Sequence, residues 1–181
     1  GNVGTGESFD FVPGTLIEGG DGFDTLLIPK TEGVASMWIT PGGGGSISFD
    51  TDKINNIEVI DLTNGNTDNE DFGVFGDHVS ATSPGMLSVD DVIDITDDNN
   101  ILYIMGDGAS DSVHLEAGQG VGSSGDTEIV WTATGNSITG SAGTIDGVTF
   151  NEYVGTGAGG EDVKLYVEDD LTVTIIGTGT V

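Results

Sequence analysis

Cysteine is absent from the 181 residues, and so is arginine. No disulfide can staple the fold, and thiolate nucleophiles and cysteine-bound zinc are excluded. Three lysines (Lys30, Lys53 and Lys164) stand against 31 acidic residues, a formal charge of −28. That balance argues against a surface for nucleic acid or anionic membrane, both of which need clustered cations. It also repels itself in a compact state, so high salt, bound divalent cations or both must offset it. No run approaches the roughly 18 apolar residues of a membrane-spanning helix. The two histidines, His78 and His114, form no H-E-x-x-H, and no G-x-S-x-G or EF-hand loop is present. A carboxylate pair for glycoside hydrolysis would want aromatic platforms and cations nearby, and aromatics are only 7% of the chain. The chain is therefore not expected to be an enzyme.

What is abundant is glycine, 32 residues, mixed with short alternating runs of Val, Ile, Thr and Leu. Such runs separated by turn signals point to an all-β fold. One stretch stands out: Gly19-Gly20-Asp21-Gly22-Phe23-Asp24-Thr25-Leu26-Leu27. It fits G-G-x-G-x-D-x-U-x, the calcium-binding nonapeptide of parallel β-rolls, at every defined position. Its glycines allow the backbone to curl its carbonyls toward one point, and Asp21 and Asp24 add carboxylate oxygens. Calcium takes about six to eight such oxygens in a flexible cage. Only one complete copy exists, so the turn is expected to clip a strand entrance rather than to belong to a stacked roll.

Along the chain, residues 1–15 read as a lead-in segment and Val34–Thr40 as a strand. Pro41 to Ser46 contains Gly-Gly-Gly-Gly-Ser, the composition of a flexible engineered linker or, in so glycine-rich a chain, of a natural glycine loop, across which the flanking strands could pair as a hairpin. Ile54–Leu62 reads as one buried strand and Thr63–Ser83 as a long polar loop. Leu87–Asp98 is the one helical candidate, with Ser88 as N-cap, Asp91 three residues on, and Val89, Val92 and Ile93 on one face. Ile101–Met105 is a strand running into 106–113, a degenerate second version of the opening turn. Val113–Leu115 leaves that turn as a strand, with His114 expected to face solvent or a loop. Strands are also expected at Glu128–Thr134, Val148–Val154, Asp162–Val167 and Leu171–Ile176. Their spacing predicts a calcium-bound β-sandwich with one short helix and glycine-rich loops. Trp38, Trp131, Tyr103, Tyr153 and Tyr166 are expected in the core, with stacking on a sugar face as the competing reading.

Several calcium ions are expected. The candidate ligands are Gly19, Asp21 and Asp24 in the first turn, Asp107 and Asp111 in the second, and Asp91, Asp94 and Asp97 at the helix. Carboxylates packed this closely repel one another unless a cation lies between them. A solvated acidic face, as in halophilic proteins, is the competing reading of the same residues.

The nonapeptide, IEVIDLTNG, LSVDDVIDITDDNNILYIMGDGASDSVHL, the Trp131 strand, GVTFNEYV and VKLYVEDDLTV together resemble the non-repetitive calcium-binding modules near the ligand-binding end of large RTX adhesins. These are exported by type I secretion systems of Gram-negative bacteria. In that family one module is split by an inserted sugar-binding PA14 domain. The resemblance implies that 1–181 is a single calcium-stabilised β domain, discontinuous in its parent, with the insertion point at 41–46 and the lectin replaced by the linker. It implies a monomeric scaffold in cell adhesion and biofilm, working at the bacterial cell surface beside neighbouring adhesin modules. It also implies that Asp21, Asp24, Asp107 and Asp111 are ligands. The chain begins at Gly1 without Met, as a piece cut from a longer exported protein would. A calcium-dependent peptide- or glycan-binding module is the alternative function.

Overall fold

The structure is a computed structural model that describes residues 17–27, 37–39, 54–63, 71–74, 87–96, 99–108, 111–117, 131–156 and 160–177. Twelve strands and one helix account for most of them. The strands are β1 (Ile17–Glu18), β2 (Thr25–Leu27), β3 (Met37–Ile39), β4 (Ile54–Asn55), β5 (Val59–Asp61) and β6 (Asp71–Val74). After helix α1 (Val89–Ile95) come β7 (Ile101–Met105), β8 (Ser112–Ala117), β9 (Thr132–Thr139), β10 (Thr149–Thr156), β11 (Asp162–Glu168) and β12 (Thr172–Gly177). The all-β class with one short helix holds.

The pairing is not that of an antiparallel sandwich. Strands β2, β5, β7 and β11 lie side by side in that order, all parallel. Strands β3, β6, β8 and β12 do the same in a second sheet, and β1 pairs parallel with β4. Each successive pass of the chain thus lays one strand on each sheet, and four passes stack coil on coil. Parallel neighbours need a long crossover, which the rest of each coil provides. Helix α1 packs on β4 and stands in the third coil where β1 and β4 stand in the first two. Only β9 and β10 depart from this, adding antiparallel to the free side of β11.

Alternation along the strands builds two cores. Ile60, Leu102, Ile104, Leu165 and Val167 point inward, meeting Val113 and Leu115 of the second sheet and Val89, Val92 and Ile95 of the helix. Trp131 closes this core, its indole N–H donating to the Leu87 carbonyl at 3.0 Å. Val59, Met105 and Tyr166 point outward and are covered by Ile145 and Phe150 from the β9–β10 arm. On this outer face Tyr103 stacks on Tyr166 at 5.0 Å and meets Phe150 and Phe23 edge-on. Burial on both faces explains why these strands read as near-continuous apolar runs. His114 is half-buried between the fully buried Val113 and Leu115.

Two segments differ from the sequence reading. Ile54–Leu62 is not one strand: Asn56, at φ 55°, turns a corner between β4 and β5. The polar stretch 63–83 contains β6. The last three strands fall within a few residues of their expected places, whereas β9 begins at Thr132 and runs on to Thr139.

Candidate metal centre

The first turn is the corner that leads into β2. Gly19 donates its N–H to the Asn55 carbonyl at 3.0 Å, which fastens the corner to the second coil. A Cβ at Gly19 would sit 1.8 Å from the Asn56 carbonyl oxygen and 2.8 Å from the Asp24 Cβ, so only glycine fits. Gly20 and Gly22 hold φ of 91° and 142°, where a side chain is strained. Asp21 is exposed at the tip.

Asp24 is held from both sides of its backbone. Its N–H donates to Glu58 Oε2 at 2.6 Å, and its carbonyl accepts from the N–H groups of Glu58 and Val59. The side-chain Oδ2 is buried and accepts no hydrogen bond. A carboxylate oxygen cut off from water without a donor is costly unless a cation supplies the missing contact. Glu58 is the acid that the sequence reading missed. Thr25 pairs with Val59 and Val59 with Tyr103, so Asp24, Glu58 and Leu102 occupy one level of three successive coils. Two residues earlier, Gly22, Asn56 and Asn100 occupy another level, and all three have positive φ. The corner is therefore repeated, with Asn in place of Gly and with the acid lost at the third coil. Glu58 is 8% exposed, which sets a second carboxylate beside Asp24 within the same protected corner. These residues fit part of a calcium shell: a buried carboxylate oxygen with no donor, a second buried acid and a carbonyl-rich turn.

The second turn lies at the other end of the same sheet, because β2 and β7 run parallel and 106–111 follows β7 instead of preceding it. Five residues of β7 separate the ends by about 16 Å. Here Asp111 is fully buried, and its Oδ2 accepts the Asp107 N–H at 2.9 Å. Its own N–H donates to the Gly108 carbonyl, and its carbonyl takes the Thr172 N–H of the next coil. This carboxylate thus folds its own loop. Glu168, from β11, accepts the Gly106 N–H at 2.9 Å. Burial pushes the Glu168 carboxyl up, the Gly106 hydrogen bond opposes this, and Asp170, Asp169 and Asp61 push it further up.

At the helix, Asp91 forms a capping box: its Oδ2 accepts from the Ser88 N–H and hydroxyl, and its own N–H donates to Ser88 Oγ. Asp94 is exposed, with its backbone carbonyl beside the Asn55 amide. Asp97 lies outside the described residues. The structure brings Gly19 and Asp24 together with Glu58, and keeps Asp107 and Asp111 apart from them. Among the described residues, no three His, Asp or Glu side chains converge on one point. Glu58 was legible only through the strand register, since no glycine marks its corner.

No protein-family model matches the chain, and comparison with curated proteins and with solved structures found no significant match.

Proposed function

We propose that the chain is a calcium-stabilised scaffold module of a bacterial surface adhesin, which holds an inserted ligand-binding domain away from the stalk. The observation that carries this is the buried, donor-free Asp24 Oδ2 inside a full G-G-x-G-x-D turn at a coil corner. Calcium there would be held by Asp24, with Glu58 and turn carbonyls at hand. Bound calcium would supply positive charge beside the Asp24 and Glu58 carboxylates. The resemblance to RTX adhesin modules supplies the setting, an exported protein meeting millimolar calcium and flanked by further modules. The insertion point at 41–46 lies outside the described residues, but it follows β3, an outer strand of its sheet, where an inserted domain could leave without cutting the coil stack.

The mechanism is linkage. A ligand that binds only the folded state adds about 2.7 kcal/mol at a hundredfold excess over its Kd. Several ions would offset the self-repulsion of a −28 chain. Thermal melts in calcium, in magnesium and in chelator test the reading. Calcium is expected to raise the Tm over both other conditions. Superimposable curves in calcium and chelator would remove the basis of the proposal.

A further inference from the structure

Strand β9 is the outermost strand of the six-stranded sheet and is exposed on both faces over 132–137. Its eight residues, TATGNSIT, include no charged side chain, in a chain with 31 acids. An exposed, uncharged, Thr-rich edge invites pairing with another strand. A second copy of this chain is the partner it suits. Antiparallel β9–β9 pairing would bring the two copies together along a charge-free row, where their mutual repulsion is least.

The edge is not regular, however. Asn151 pairs with Ser137 and Tyr153 with Ala133, so Thr134, Gly135 and Asn136 together face Glu152 alone. Gly135 takes φ 77° at the crest of this bulge. Glu152 grips both of its flanks. Its Oε2 accepts the Thr134 hydroxyl and the Asn136 amide, each at 2.9 Å. The Asn136 N–H in turn donates to Thr134 Oγ1 at 3.1 Å. On the other side, Oε1 accepts the Tyr166 hydroxyl at 3.1 Å and stands 3.9 Å from Lys164 Nζ. Burial, followed by the Glu152 contact, pushes the Tyr166 hydroxyl up to about 12, so it stays a donor.

We propose that the Glu152 carboxylate is a positioning group that holds the Thr134–Asn136 bulge and thereby blocks β9 from pairing edge to edge with a second copy of the chain. Bulges are a known means of blunting a sheet edge. This one divides β9 into two short pieces and turns its polar side chains back onto the sheet. With the acceptor removed, the strand can relax toward an even row of free N–H and C=O groups.

The test is light-scattering mass with amide exchange, in about 1 M salt, where the screening length falls to about 3 Å and net repulsion no longer decides association. Wild type is expected to be monomeric with fast exchange at the outward amides of 132–139. Glu152→Ala is expected to double in mass at high concentration and to slow exchange across β9. Glu152→Gln keeps the acceptor for Thr134 and Asn136 and is expected to stay monomeric. Asp162→Asn, which neutralises an exposed acid of the same sheet, is also expected to stay monomeric. A Glu152→Ala protein that remains monomeric overturns the proposal, as does association that leaves β9 unprotected. Association of wild type through β9 would also overturn it. Equal association of Glu152→Gln or Asp162→Asn would show that charge, and not the clamp, keeps the copies apart. Should Glu152→Ala not fold, the exposed double variant Thr134→Val, Asn136→Ala releases the bulge from the other side, with the same outcomes deciding.

Discussion

Asp24→Ala should have opposite effects with and without calcium. In chelator, the wild-type Oδ2 is a buried acceptor with no donor, and such a group costs about 1–3 kcal/mol. Removing it leaves the backbone bonds of Asp24 to Glu58 and Val59 in place. The variant is therefore expected to be as stable as wild type in chelator, or more so. In calcium at a hundredfold excess over Kd, wild type gains about 2.7 kcal/mol at this corner and the variant does not. For a chain of this size, about 2–4 °C accompanies each kcal/mol, so the calcium-dependent rise in Tm should shrink by roughly 5–10 °C. Paired melts of both proteins in both buffers measure it. Hydrogen exchange adds the location, since protection lost in calcium should concentrate in 17–27. A variant equally destabilised in both buffers would mean that Asp24 acts through packing alone, and the reasoning would fail.

Trp131→Phe removes the indole hydrogen bond to the buried Leu87 carbonyl, and a loss of about 0.5–1.5 kcal/mol is expected from urea midpoints. Glu168→Gln tests the raised carboxyl. A folded-state pKa above the ordinary value means that the folded protein holds its proton more tightly, so the ionised side chain disfavours folding at neutral pH. The disadvantage fades as pH falls through the folded value toward the ordinary one. Gln keeps an acceptor for the Gly106 N–H, so the variant should be more stable than wild type at pH 7, with the gap closing near pH 4. A constant gap across that range would rule this out.

Local features were legible in the sequence wherever one residue type decides them. Ser88 and Asp91 announce the helix start, and their capping box forms as the spacing requires. The strands of β7, β10, β11 and β12 announce themselves by apolar density. Topology was harder to read, for a physical reason. A coil corner needs positive φ, which Gly22 advertises but which Asn56 and Asn100 supply without a glycine. The repeat was therefore visible once in sequence and is present three times in space. With two corners hidden, Ile54–Leu62 looked like a single strand, and short strands at even spacing suggested a sandwich instead of stacked coils. Glu58, Glu152 and Glu168 escaped notice because each acts on a neighbour far away in sequence, and only the register brings them together.

The stacked coils also change what a metal at the first turn would do. Residues 17–27 of the first coil contribute no fully buried side chain; Ile17 and Leu26 only lean on the inner core. The second coil, by contrast, contributes Ile54, Ile57, Ile60 and Leu62, all nearly or wholly buried. Coil one is joined to it by strands of two, three and three residues, a small amount of pairing for the backbone it must order. Hydrophobic burial alone therefore holds the 17–27 stretch only weakly. The Asp24–Glu58 corner lies at that seam, with one acid contributed by each coil. A cation shared by these two acids would add a second tie across the seam to the bond from the Asp24 N–H to Glu58 Oε2. Calcium at this corner would thus set the docking of the first coil more than the stability of the core behind it.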